Sequence, residues 1–301
     1  MTKTLGLIGL GAMGSAIAER LIKAGYTVVG YDSNQAARVQ AETLGVHVVI
    51  SPEAIYNYTR TIWLMVPAGH PVAATLDVLA PFMQPGDIII DGGNSDFHDS
   101  VLRADSLAQL RVSFLDCGTS GGLAGRELGF CLMLGGDHTA FKKIEQFLQA
   151  IAMPNGYRHL GRSGAGHYVK MVHNGIEYAL LQAYAEGLQL LKEGRYPELD
   201  LAAIADLWLH GSIIRSYILE LTQRMLERQL DFSAISGIVE HTGMGSWTVQ
   251  EAHEKHIPVK LIEEALRIRE QSHITGGNFA TKLVALLRHE FGGHAYKKLN
   301  S

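Results

Sequence analysis

A short apolar run, LGLIGL, ends in three glycines spaced as G-x-G-x-x-G and passes directly into a helical stretch. Few sequence features restrict a fold as tightly. Gly9 permits a sharp turn after a strand, Gly11 lets the main chain approach a phosphate, and Gly14 lets the following helix pack against the strand. Leu10, Ala12 and Met13 occupy the positions between them. The exposed N–H groups and the positive end of the helix dipole then face an anion. The pattern alone is weak, but strand, loop and helix together predict the first unit of a dinucleotide-binding sheet.

The remainder of the first half repeats this alternation. Strands are expected at 5–10, Thr27–Tyr31, Val46–Ile50, Arg60–Val66, Asp87–Asp91, Ser113–Asp116 and Phe130–Leu134. Helices are expected over Ala12–Ala24 and Ala36–Leu44, the second ending on Gly45, with a further helical stretch closing near Pro81. Strand–helix alternation of this kind predicts a parallel sheet wrapped by helices. From Gly164 onward no strand pattern is evident. A long helix is expected over Ala165–Lys192, with apolar residues at 169, 172, 176, 180, 181, 184, 188 and 191, and further helices at 201–228, 259–271 and 278–291. The expectation is an α/β Rossmann domain, residues 1–162, followed by an all-α C-terminal domain, residues 163–301, for substrate binding and oligomerisation.

The second strand ends in Asp32, 21 residues after Gly11, where a carboxylate can accept hydrogen bonds from ribose hydroxyls. The same charge repels a 2′-phosphate, and no Arg or Lys lies within 31–37 to offset it. NAD is therefore expected in preference to NADP, with NADP as the second option. Two further loops, Val66-Pro67-Ala68-Gly69 and Asp91-Gly92-Gly93-Asn94-Ser95, follow strands of the same sheet. Ligands bind at such carboxyl ends.

The long helix carries the densest polar set. Lys170, His173, Asn174, Glu177 and Tyr178 share one helical face, with Lys170 and Glu177 two turns or about 10 Å apart. A base and an acid on one face suit an oxidation followed by a proton return. A solvated face with a surface ion pair explains the spacing equally well.

Longer stretches add what spacing cannot. LGLIGLGAMG, IIDGGNS, TSGG, GAGHYVKMVHNGIEY and LRHEFGGHAY resemble, in order, the motifs of 6-phosphogluconate dehydrogenases, and the resemblance runs over nearly the whole chain. At 301 residues the chain is similar to the shorter decarboxylating form. The resemblance implies oxidation of 6-phosphogluconate at C3, loss of CO₂ and protonation of the enediol to ribulose 5-phosphate, a pentose phosphate pathway step also used in gluconate utilisation. It implies Lys170 as general base and Glu177 as the acid. A working base requires a pKa below the free lysine value of about 10.4, so desolvation and the nicotinamide cation are expected to depress it. It also implies substrate contacts from Asn94, which lies near the nicotinamide too, and from Ser120, Gly121, Gly122, His173, Asn174 and Tyr178. Arg288 and His294 match phosphate and substrate ligands that a neighbouring subunit supplies in that family. Arg269 matches another phosphate contact, with Arg267 close enough to exchange places.

The chain departs from the long form at three points. Ser246 stands where that form has a phosphate-binding Lys, Pro67 stands at another Lys position, and Asp32-Ser33 replaces an Asn-Arg pair that grips the NADP phosphate. The alternative reading is a 3-hydroxyacid dehydrogenase of the 3-hydroxyisobutyrate or glycerate type, which shares the glycine cradle and catalytic lysine without phosphate ligands. A non-catalytic cofactor sensor is a third.

Composition excludes other classes. The formal net charge is -4 with Lys and Arg scattered, so no nucleic-acid surface is expected. The two cysteines, Cys117 and Cys131, make no disulfide framework. His253-Glu254-Lys255-His256 is one residue short of the H-E-x-x-H zinc pattern, and no metal site is expected. No segment reaches the length of a membrane span, and the N-terminus lacks a signal-peptide pattern. A cytoplasmic protein acting on a small-molecule substrate is expected, self-associated as a dimer or tetramer, with C-terminal residues completing a neighbour's site.

Overall fold

The computed structural model describes residues 3–299 and divides into two compact units, with the break between Met171 and Val172. The first unit is built on an eight-stranded sheet: β1 (Thr4–Ile8), β2 (Thr27–Tyr31), β3 (His47–Val48), β4 (Thr61–Leu64), β5 (Ile88–Asp91), β6 (Ser113–Ser120), β7 (Phe130–Gly136) and β8 (Ala152–Gly161). Their spatial order is β3-β2-β1-β4-β5-β6-β7-β8, parallel except for the antiparallel pair β6–β7. The order reverses at β1, beside β4. Ligands enter a doubly wound sheet at such a switch point, outside the carboxyl ends of the strands.

Both faces of the sheet are covered, as a parallel sheet requires. Alternate residues of each strand serve opposite faces. Leu5 and Leu7 of β1, Trp63 of β4, and Ile88 and Ile90 of β5 join one apolar cluster with α1 (Ala12–Lys23) and α6 (His138–Ile151). Ile8, Ile62, Leu64 and Ile89 join the other with α3 (His70–Leu79) and α4 (Phe97–Gln109). Two smaller helices, α2 (Gln35–Thr43) and α5 (Gly125–Leu128), complete the unit.

Three sequence expectations change here. The strand expected at Val46–Ile50 is only two residues long. β6 continues past Asp116 to Ser120, carrying the chain to the Ser-Gly-Gly turn. β8 was not expected, because Pro154, Gly156 and a left-handed Asn155 (φ 62°) interrupt any apolar alternation in a largely exposed edge strand.

Helix α7 (Ala165–Glu193) runs from the first unit into the second. Its opening turns belong to the sheet. The buried Asp116 carboxylate accepts the N–H of Gly164 at 2.7 Å and of His167 at 2.9 Å. Gly166 lies so close to the sheet that a Cβ there would overlap Met133 O and sit 2.6 Å from Asp116 O.

The second unit contains the rest of α7 with α8 (Leu201–Leu209), α9 (Tyr217–Glu227), α10 (Met244–Glu254), α11 (Lys260–Thr275) and α12 (Phe279–Gly292). The single helix expected over 201–228 is two. Gly211 takes φ 88°, and Ser216 caps the second helix by accepting the N–H of Leu219. α10 was not expected, since its glycine-rich start carries no apolar stripe. Leu181, Ala185 and Leu188 of α7 pack with Leu283, Val284 and Leu287 of α12 in this unit's core.

The apolar stripe read along α7 is only partly the buried one. Val169, Ile176 and Leu180 are exposed, while Lys170, Met171 and Tyr178 are buried. Of the five polar-face residues, Lys170 and Tyr178 are thus buried, and His173, Asn174 and Glu177 are half-buried.

Replacing Gly166 by Ala should overpack the junction between α7 and the sheet and cost about 1–3 kcal/mol. The check is the urea midpoint of the Gly166→Ala chain. An unchanged midpoint contradicts the close approach.

Candidate active site

The glycine loop follows β1 at the switch point. Gly9 takes φ 97°, and its Cβ position is occupied by Met65 O. Only glycine fits both demands. Gly14 is equally constrained, because a Cβ there would overlap Gly9 O. Gly11, the N-cap residue of α1, has nothing within 4 Å of its would-be Cβ. Open space at Gly11 and tight packing at Gly9 and Gly14 are what a pyrophosphate cradle requires. Leu10 is buried, whereas Ala12 is exposed and Met13 half-buried in the first turn of α1.

Asp32 lies just beyond β2. Its carboxylate accepts the Leu10 N–H at 2.7 Å and the Asn34 N–H at 2.8 Å. The glycine loop and the acid are therefore fixed to one another. A carboxylate offers about four lone-pair sites, so capacity remains for ribose hydroxyls. One expectation needs correction. A cation does stand nearby: Arg38, one position beyond the residues 31–37, folds back from α2 to this strand end. A helical turn brings it there, which linear spacing conceals.

The loops after β4 and β5 are joined by a residue that spacing did not reveal. Arg103 of α4 donates to Gly69 O at 3.3 Å and to Asp99 at 3.0 Å, and its Nη1 stands 3.5 Å from Asp91. Asp91 is wholly buried and accepts from Gly93 N at 3.1 Å and Ser95 Oγ at 2.7 Å. Thr119 Oγ1 donates to Gly92 O at 3.1 Å, tying this loop to the end of β6. Asn94 is left exposed at the apex, and Val66, Pro67 and Ala68 line the neighbouring loop with at least partial exposure.

Lys170 follows one turn after the contacts of α7 with Asp116. Its side chain is 5% exposed. The first part of its stem lies over Gly118 of β6, where any Cβ would collide with it. Gly118 is thus a site residue that motif reading missed. Two residues on, β6 ends in Ser120, followed by Gly121 (φ 128°) and Gly122 (φ 54°). A main-chain turn at this point can present N–H groups to an anion. His167 is a second omission: its Nδ1 meets Ser100 Oγ at 2.7 Å, pinning α7 to α4.

The second unit holds the cationic residues. Arg269 is 2% exposed and its guanidinium carbon lies over the Tyr178 ring, 3.3 Å from its centroid. Neither Nη1 nor Nη2 of Arg269 has a hydrogen-bond partner. Burial draws its pKa down to about 10, with Arg288 adding to the effect and Tyr178 and Glu177 opposing it. Burial also lowers Arg288, against Tyr178 and Glu177. His294 is lowered by burial and then by Arg288 and Arg269. Glu177, Tyr178, Arg269, Arg288 and His294 of one chain therefore share one electrostatic environment. Arg267 is separate, exposed and paired with Glu264. His173 Nδ1 meets Asn174 Oδ1 at 3.0 Å on the adjacent part of α7. Ser246 lies in the first turn of α10 beside Gly245, which packs on the Tyr178 ring.

Among the described residues no group of three or more His, Cys, Asp or Glu could hold a metal ion. His253 Nε2 instead meets Glu263 at 2.6 Å.

Gly11 provides a test that separates folding from binding. Because its Cβ position is open, Gly11→Ala should change stability by less than about 0.5 kcal/mol. It should weaken NADH binding by roughly tenfold or more, since the methyl occupies the phosphate approach. Calorimetric titration with NADH checks this, and undiminished affinity refutes the cradle.

Residues 4–162 match the family model described as the NAD binding domain of 6-phosphogluconate dehydrogenase, and residues 166–290 match its C-terminal domain. The chain is 45% identical over 295 residues to a Haloferax volcanii protein named NAD(+)-dependent, decarboxylating 6-phosphogluconate dehydrogenase, covering 96% of this chain and 97% of that one. It is 37% identical to the decarboxylating 6-phosphogluconate dehydrogenase of Bacillus licheniformis, covering 89% of this chain but 61% of that longer protein. Among solved structures, Plasmodium falciparum 6-phosphogluconate dehydrogenase superposes with a TM-score of 0.83 at 29% identity, covering 90% of this chain and 62% of that one. A Mycobacterium tuberculosis 3-hydroxyisobutyrate dehydrogenase superposes at 0.76 with 20% identity, covering 96% and 100% of the two chains, and shares the fold. Both halves of the sequence lead to one conclusion: the chain belongs to the 6-phosphogluconate dehydrogenase family.

Proposed function

We propose that this chain catalyses the NAD-dependent oxidative decarboxylation of 6-phosphogluconate to ribulose 5-phosphate and CO₂. The observation that carries the substrate is Arg269, a guanidinium buried with two unpartnered nitrogens. Such a group is costly unless an anion completes it. Its donor fork suits a phosphate. Arg288 and His294 add to the positive field and stand in for the lysine that Ser246 replaces. An unphosphorylated 3-hydroxyacid has no use for this cluster.

NAD, when bound, supplies the hydride acceptor for C3. Lys170, buried on α7, removes the C3 hydroxyl proton. The 3-keto acid then loses CO₂, and Glu177 delivers a proton to C1 of the enediol. The Ser120-Gly121-Gly122 turn orients the sugar-acid end through its N–H groups, and Asn94, His173, Asn174 and Tyr178 bind the remaining substrate groups. Gly9 to Gly14, Asp32 and the loop Val66 to Ala68 hold the cofactor.

Self-association as a dimer or tetramer belongs to the same reading, although Arg288 and His294, the C-terminal residues that the resemblance assigns to a neighbour's site, stand in the field of Arg269 in their own chain. It is supported by exposed apolar residues such as Ile213 (99%), Ile274 (87%) and Leu261 (79%), and by Val169, Ile176 and Leu180 along α7. Among the described residues no helix is long and apolar enough to cross a membrane, and a cytoplasmic site of action is part of the proposal.

The direct test supplies 6-phosphogluconate and NAD and measures NADH and CO₂ together. Equal yields support the proposal, and NADH without CO₂ favours the hydroxyacid alternative. Lys170→Ala should abolish turnover and leave NADH affinity nearly intact; substantial residual turnover overturns the role of Lys170. Arg269→Met should raise the KM for 6-phosphogluconate roughly tenfold to a hundredfold, the worth of a charged hydrogen bond. It should not lower the melting temperature, because Nη1 and Nη2 of the buried guanidinium have no hydrogen-bond partner. An unchanged KM removes Arg269 from the phosphate site.

A further inference from the structure

The end of β2 carries two opposite charges that are not paired with one another. The Asp32 carboxylate is occupied by the main-chain N–H groups of Leu10 and Asn34. Arg38, in the first turns of α2, donates from Nη1 to the carbonyls of Asp32 at 2.6 Å and Ser33 at 3.2 Å. Its guanidinium carbon stands 5.9 Å from the Tyr31 ring centroid. Main-chain carbonyls and an aromatic face therefore hold the cation in place, independently of the acid. Its Nε and Nη2 have no hydrogen-bond partner among the described residues, and the side chain is half-buried.

This arrangement changes how cofactor choice is made. A strand end with an acid and no cation rejects a 2′-phosphate twice, by repulsion and by lack of a ligand. Here only the repulsion applies, because a donor fork suited to phosphate is already mounted beside the ribose position. We propose that Arg38 is a specificity-determining residue, a built-in ligand for a 2′-phosphorylated adenosine that Asp32 keeps out of use. Removing the acid does not release the cation, since Arg38 takes none of its anchoring from the Asp32 carboxylate. The chain selects NAD by the Asp32 charge alone and retains a latent site for NADP.

The inference rests on the reading that the first unit binds a dinucleotide, and the experiment separates the two. Isothermal titration of the full chain uses NADH, NADPH and adenosine 2′-monophosphate as probes. The proteins are the wild type, Asp32→Ser, Asp32→Ser/Arg38→Met and Asp32→Ser/Arg38→Lys. Asp32→Ser should raise the NADPH-to-NADH affinity ratio by roughly tenfold or more, the effect of one charge-assisted hydrogen bond. It should also create salt-sensitive binding of adenosine 2′-monophosphate. Adding Arg38→Met should remove both gains, and Arg38→Lys should keep part of them, because the charge remains while the fork is lost. A gain that survives Arg38→Met, or no gain in Asp32→Ser, overturns the proposal. Equal loss in the Met and Lys variants assigns Arg38 a structural role and also overturns it. Failure of the wild type to bind NADH overturns the dinucleotide reading instead.

Discussion

The Asp116 carboxylate, shut away from water in β6, holds the first turn of α7 by accepting two of its main-chain N–H groups. Charged hydrogen bonds of this kind are worth about 1.5–3 kcal/mol each, and the positive end of the helix dipole favours the same charge. Little else could satisfy those N–H groups once Gly166 has brought the helix down onto the main chain of β6 and β7. The position of Lys170 follows from this contact, because its stem lies over Gly118 of the same strand. A side chain of four flexible carbons is placed only when its root is fixed, and Asp116, Gly118 and Gly166 fix it.

The cofactor side relies on the same economy, with carboxylates spent on main-chain donors. Asp32 joins the glycine loop to the end of β2. Asp91 shapes the loop that presents Asn94, and Arg103 ties that loop to Gly69. Each loop at the carboxyl edge of the sheet is thus held by a side chain beneath it, so binding requires little further ordering of the main chain.

The second unit works in the opposite sense. Arg269 is held by a ring and left without hydrogen bonds at its outer nitrogens. In the free chain this arrangement costs stability, and in the proposed complex the same nitrogens gain an anion in a region of low dielectric. Lowered pKa values at Arg269, Arg288 and His294 reflect that expense. His294 in particular is pushed toward its neutral form by burial and by the two guanidiniums, so an incoming phosphate favours its protonation.

The glycine cradle, the parallel sheet and the long polar-faced helix were legible in the sequence because each is a local rule. A turn needs a positive φ, a strand alternates with a period of two, and a helix face repeats every three or four residues. The family motifs named the chemistry for the same reason, since they are contiguous along the chain. Asp116, Gly118, His167, Arg103 and Arg38 were not legible, because their partners are distant in sequence or one helical turn outside the expected window. β8 stayed hidden because an exposed edge strand needs no apolar pattern. The sequence by itself determined what the pieces are: a dinucleotide cradle, an acid at Asp32, and a helix bearing Lys170 and Glu177. Tertiary structure alone decided which of Arg267 and Arg269 is buried against Tyr178, which face of α7 turns inward, and that a cation stands beside Asp32. Those outcomes depend on burial and on hydrogen bonds between residues far apart in the chain, where packing outweighs local preference.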